Sequence, residues 1–94
     1  MSIVWTNLAR QDVNAIWNFI ESRNPDAAEM VDSEILRAVE GLLQFPKRGK
    51  PGRVKRTREL VVLGLPYIVV YLLQESRVVI LRVLHGAQNW PIQS

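Results

Sequence analysis

The sequence predicts an α+β fold: an N-terminal strand, an antiparallel helical hairpin, and then a three-stranded antiparallel meander. Three observations lead there. Apolar residues recur at helical spacing in two consecutive stretches. Asn24-Pro25-Asp26 separates those stretches sharply. From Thr57 onward the period changes to runs of Val, Ile, Leu and Tyr broken by short turns.

Ile3-Val4-Trp5 is short and β-prone and reads as the first strand. Thr6 or Asn7 then suits a helix N-cap. Ala9, Val13, Ile16, Trp17 and Ile20 follow on one helical face, with Arg10, Asp12, Asn14, Asn18 and Glu21 mostly on the other. This is an amphipathic helix of about four turns. At the break, Asn24 suits the N-cap, Pro25 the first helical position, and Asp26 complements the helix dipole. Ala28, Val31, Ile35, Val39 and Leu42 form the second stripe. It stops near Phe45, because Pro46 pushes the residue before it out of the helical region. The short link between the helices favours antiparallel neighbours.

Lys47 to Arg56 carries Gly49, Pro51 and Gly52 among its basic residues and reads as a loop. Thr57–Leu63, Tyr67–Gln74 and Arg77–His85 read as strands. Gly64-Leu65-Pro66 and Glu75-Ser76 join them, and links this short make consecutive strands antiparallel. A polar tail with Trp90 follows. On strict alternation, Val79, Leu81 and Val83 face the helices, while Ile80, Arg82 and Leu84 face away. Arg82 is then open to a partner or substrate. Both faces of Tyr67–Leu73 are apolar or aromatic. The face away from the helices therefore needs the C-terminal tail, another subunit or a partner protein to cover it, or is exposed for use.

The chain has 94 residues, which suits one domain spanning 1–94. It has no cysteine, which excludes a disulfide scaffold, a thiolate metal site and a cysteine nucleophile, and points to a reducing compartment. The N-terminal residues lack the pattern of a signal peptide, and the longest apolar run is broken by Gly64 and Pro66. A cytoplasmic protein without a membrane span is expected. The net charge of +3 hides an asymmetry. Residues 11–40 hold Asp12, Glu21, Asp26, Glu29, Asp32, Glu34 and Glu40 against Arg23 and Arg37. Residues 47–58 hold Lys47, Arg48, Lys50, Arg53, Lys55, Arg56 and Arg58 with no acid. An acidic or nucleic-acid partner fits such a segment, as does a solvated basic loop.

The inventory of chemistry is short. No glycine pattern matches a phosphate-binding loop, so no cofactor is expected. His85 is the one histidine and has no second to share a metal. No serine sits in an elbow pattern, and a small-molecule enzyme is disfavoured. Arg58, Tyr67, Arg82, His85 and Gln88 remain as polar groups near the sheet. A metal-free ribonuclease can be built from such a set, with arginine stabilising charge and histidine or tyrosine moving protons. The plain alternative is an outward Arg82 and a satisfied strand-end His85.

Thr57-Arg58-Glu59-Leu60-Val61-Val62, Pro66-Tyr67-Ile68-Val69-Val70-Tyr71, Val79 to Gln88 and Trp90-Pro91 resemble the RelE/ParE superfamily of toxins from bacterial type II toxin–antitoxin modules. So does the N-terminal pattern of Trp5, Ala9, Asp12-Val13, Ile16, Ile20, Asn24-Pro25 and Ala27-Ala28. The resemblance covers nearly the whole chain. It implies two helices on an antiparallel sheet and a cognate antitoxin as partner. It also implies a role in growth arrest and plasmid stabilisation.

The superfamily divides by mechanism. One branch cleaves messenger RNA on the ribosome, and the ParE-like branch poisons DNA gyrase. Glu59, Val61 and Ile68 stand where the nuclease branch carries basic residues, and Arg82-Val83-Leu84-His85 looks more like the ParE branch. A gyrase poison is the leading expectation, with an enzyme role left undecided. A ribosome-dependent endoribonuclease using Arg82 and His85 is the alternative. Arg53, Arg56, Arg58, Tyr67, Tyr71, Arg82, His85, Gln88 and Trp90 are the candidate contacts to target or antitoxin.

Overall fold

The computed structural model describes residues 1–86 and Trp90. Strand β1 spans Ser2–Trp5, helix α1 Asn7–Glu21 and helix α2 Pro25–Glu40, which tightens into a 3-10 turn over Gly41–Leu43. Strands β2 (Lys50–Pro51), β3 (Thr57–Val61), β4 (Tyr67–Gln74) and β5 (Arg77–His85) follow.

Local chemistry explains the helix ends. The Thr6 hydroxyl accepts from the Ala9 N–H at 3.1 Å and donates to the Leu81 carbonyl at 3.0 Å. One side chain therefore caps α1 and ties it to β5. Asn24 caps α2 by accepting from the Ala27 N–H, with Pro25 opening the helix. Residues 22–24 are the whole link, so α1 and α2 fold back on each other as a hairpin.

The meander is the centre of a five-stranded sheet of order β1-β5-β4-β3-β2. β1 joins β5 in parallel, with Ile3 opposite Val78 and Trp5 opposite Ile80. The β4–β5 turn is tight enough to hold Glu75 at φ 50, in the left-handed region. The helices cover one face, α1 against β5 and α2 against β4. The core between them unites Ala9, Val31, Ile35 and Val39 with Leu60, Val69, Tyr71, Val78, Ile80 and Val83. Val69, Tyr71, Val78 and Ile80 are fully enclosed.

Three expectations are corrected. Lys50–Pro51 is not loop but a two-residue edge strand, pairing antiparallel with Glu59 and Arg58. Proline is tolerated there because an edge strand has an unpaired side. β3 ends at Val61 rather than Leu63. Most importantly, β5 does not alternate evenly. Val70 faces Arg82 and Tyr71 faces Ile80, so Leu81 is an extra residue in a β-bulge. The bulge reverses the parity. Val78 and Ile80 enter the core before it and Val83 after it, whereas Val79 and Leu81 are only half-buried.

The second face of β4 is partly closed by the chain itself. Val70 and Leu84 are buried, and Ile68 and Leu72 half-buried. Residues Lys50–Arg53 reach over this side and share a shallow cleft with Glu59, Ile68 and Gly86.

Candidate functional site

Alternation in β3 sends Arg58 and Leu60 toward the helices and Glu59 to the other face. The two charged neighbours therefore tie down different parts of the basic segment. Glu59 is 4% exposed and is the paired carboxylate of the sheet. It accepts from the Arg53 N–H at 2.8 Å and from Arg53 Nε at 3.1 and 3.3 Å. Burial is the largest single influence on Glu59 and raises its pKa. The Arg53 hydrogen bonds, the Arg53 charge and the Lys50 charge together outweigh it. The carboxyl is held below the ordinary carboxylate value.

On the helix side, Tyr71 lies opposite Arg58. Its hydroxyl donates to the Pro46 carbonyl at 2.7 Å and accepts from the Gly49 N–H at 2.9 Å. Burial pushes this phenol up, against the Gly49 hydrogen bond and the Arg58 charge. Arg58 donates to the Gly49 carbonyl at 2.7 Å and to the Lys47 carbonyl at 3.4 Å. Gly49 has no room for a side chain, since a Cβ would stand 2.7 Å from the Tyr71 ring and hydroxyl. Further along, Gly52 N–H donates to the Thr57 carbonyl at 2.8 Å, and Thr57 Oγ1 donates to the Val54 carbonyl at 2.6 Å. The basic segment is therefore a built structure rather than a loose loop.

Arg82 is placed differently from the sequence expectation. β1 ends at Trp5, so the outer edge of β5 lacks a strand beyond Ile80. The first turns of α1 take over. Thr6 bonds the Ile80 and Leu81 carbonyls, and Asp12 accepts from the Val83 N–H at 2.9 Å. The same carboxylate grips Arg82 at 2.7 and 2.9 Å. Both side chains are close to buried, at 12% and 15% exposure. Asp12 thus holds Arg82 and keeps its guanidinium more basic than usual, against the effect of burial. The expectation that Arg82 presents an open cation fails because the bulge and the sheet edge hand it to α1.

Tyr67 and His85 are cross-strand partners, and their rings meet edge to face at 5.9 Å and 88°. Tyr67 is 9% exposed while His85 is exposed. Trp90 is half-buried, and Gln88 lies outside the described residues. Arg56 is exposed, with its backbone at φ 73. Of the candidate contacts, the structure joins Tyr67 with His85 and Arg58 with Tyr71. It does not join Arg82 to either pair by any contact it shows. Among the described residues, no group of three His, Asp or Glu side chains is placed to hold a metal ion. No helix there is long and apolar enough to cross a membrane.

Sequence reasoning missed Asp12 and Glu59 as the residues that fix the arginines. A signal existed for Glu59, an acid in an otherwise apolar stretch after a basic segment. Asp12 gave none, because it sits on the polar face of α1 like any solvated acid.

Comparison with known proteins agrees with this architecture. Over 88% of its length the chain superposes on 92% of a chain from the chromosomal ParDE TA system from P. aeruginosa, with a TM-score of 0.81 and 27% identity. Y4kP of Sinorhizobium fredii, a toxin by assignment, is 44% identical over 95% of this chain and 92% of its own. Toxin RelE2 of Caulobacter vibrioides is 34% identical over 92% of this chain and 96% of its own. Residues 3–90 match the profile of the ParE toxin of the type II toxin–antitoxin system parDE. The chain belongs to the ParE family of type II toxin–antitoxin toxins.

Proposed function

We propose that this toxin arrests growth in the cytoplasm by binding and poisoning DNA gyrase, without chemistry of its own, until a cognate antitoxin neutralises it. The observation that carries the reading is the Asp12–Arg82 pair. An arginine that stabilises a phosphorane must present its charge to the substrate. Arg82 presents it to a carboxylate, and Arg53 does the same to Glu59. Val61 is exposed and Ile68 half-buried, so the sheet offers apolar surface at two positions where a nuclease needs cations. The exposed Leu8, Phe19, Met30 and Leu36 on the helices give an antitoxin apolar surface to cover.

Purified gyrase tests the reading. Antitoxin-free protein is expected to inhibit supercoiling and to make cleaved DNA accumulate. Unimpaired supercoiling in the presence of demonstrably folded protein removes it. Truncation from Gln88 onward is expected to abolish the effect.

A second reading, ribosome-dependent cleavage of messenger RNA, draws on the Tyr67–His85 ring contact and on the similarity to toxin RelE2. An exposed imidazole against a tyrosine has the groups for proton transfer. It requires transcripts cut at codon boundaries on induction, and loss of those cuts in His85→Ala.

A further inference from the structure

Seven cations lie between residues 47 and 58, and the structure divides them into two groups. Arg53 and Arg58 are fasteners, the exposed Arg53 on Glu59 and the half-buried Arg58 on the Gly49 and Lys47 carbonyls. Lys47, Arg48, Lys50, Lys55 and Arg56 are exposed. Among the described residues, none of these five makes an ion pair. Glu59, whose carboxylate lies near Lys50, is buried and paired with Arg53. The fasteners hold five outward charges on a fixed frame, so little chain freedom is lost when a ligand binds.

Arg56 strengthens the case. Its φ of 73 is a conformation that glycine or asparagine adopts more readily. Local backbone strain of this kind tends to mark functional positions.

The nature of the ligand follows from what the segment lacks. A protein partner of this area normally inserts apolar anchors. Within residues 47–56 the apolar side chains are Pro51 and the half-buried Val54, whereas the exposed Leu43 and Phe45 and the apolar cavity lined by Gln44, Phe45 and Pro46 lie at the segment's first end. Single-stranded nucleic acid is held by stacking its bases on open aromatic faces. Residues 47–56 contain no aromatic ring; Tyr71 beneath them is wholly enclosed, and the half-exposed Phe45 precedes them with the Arg48 guanidinium 5.0 Å from its ring. Charges spread from Lys47 to Arg56 with no aromatic ring among them suit a ligand that brings closely spaced charges and keeps its bases inside, which is a duplex.

We propose that the Lys47–Arg56 segment grips the phosphate backbone of duplex DNA without reading its sequence. The choice of DNA rests on the gyrase reading, since a gyrase poison acts where an enzyme holds a duplex. The toxin then contacts the DNA as well as the enzyme.

Fluorescence anisotropy of the antitoxin-free protein with a short labelled duplex of scrambled sequence tests this across a salt series. Three to five phosphate contacts give a slope of log K against log salt of about −2.7 to −4.5. Lys50→Ala with Lys55→Ala is expected to flatten the slope by about 1.8 and to weaken binding about tenfold or more at moderate salt. Arg56→Gly is expected to flatten it by about 0.9 while melting no lower than wild type, which separates lost charge from lost fold. Arg37→Ala, on α2, is the control and leaves the slope unchanged.

Lack of salt-dependent binding overturns the proposal. So does a slope that the loop variants do not alter, or tighter binding to single-stranded RNA or to a polyglutamate peptide than to the duplex. Supercoiling is measured in parallel. A protein that inhibits gyrase but ignores free duplex removes the loop proposal and leaves the gyrase reading. One that binds duplex with the expected slope but leaves gyrase untouched keeps the loop and removes the gyrase reading.

Discussion

Asp12 and Arg82, seventy residues apart, form a two-point ion pair at 2.7 and 2.9 Å, and the same Asp12 oxygen that takes the shorter bond also takes the Val83 N–H. One carboxylate therefore closes the sheet edge and neutralises the arginine beside it. Removing one member of a nearly buried pair leaves the other charge without its partner, at a cost of about 3–5 kcal/mol. Asp12→Ala is expected near the upper end, since it also strips the Val83 amide. Arg82→Met is expected to cost less, because Asp12 keeps that amide. Urea melts of the two variants check the order. Equal losses would mean that the Val83 bond adds nothing.

The Arg53–Glu59 pair carries a pH signature. The Glu59 pKa is lower in the folded protein than its ordinary value of 4.5. The pair's stabilisation is therefore complete above the unfolded value and disappears as pH falls through the lowered folded value. Glu59→Gln removes that titration. Wild-type stability is expected to fall between pH 5 and pH 3 more steeply than that of the variant. Denaturant midpoints across that range check this, and parallel curves would place the acid sensitivity elsewhere.

Tyr71→Phe keeps the enclosed ring and deletes only the hydroxyl. The buried Gly49 amide loses its acceptor and the Pro46 carbonyl its donor. A loss of about 1–3 kcal/mol is expected, with faster amide exchange confined to residues 46–50. Exchange spread evenly over the sheet would show that the hydroxyl supports the core rather than the basic segment.

The parts of this fold that were legible in the sequence are those set by near neighbours. Asn24-Pro25 starts α2 because a cap and a fixed φ act within one turn. β4 and β5 have the expected limits because their turns carry their own signals. The Leu81 bulge was invisible because an extra residue exists only relative to the facing strand. The parallel partner of β1 was hidden for the same reason. In the candidate site, Arg53, Arg58 and Arg82 were legible as cations near the sheet. Their partners were not legible, since Asp12, Glu59 and the Gly49 carbonyl meet them only through the fold.

Strand β1 finds its place only beside β5, Ser2 against Arg77 through Trp5 against Ile80. A parallel contact spanning that much chain closes late, because the intervening loop must first be ordered. During synthesis, the ribosome has to make and release residues 77–80 before the first strand can dock. Until then Thr6 and Asp12 have no β5 edge to bond, and Arg82 has no clamp. A nascent chain halted short of β5 leaves β4 without its neighbour on that side. The sheet is thus completed only once β5 has emerged, since β5 joins β1 to β4.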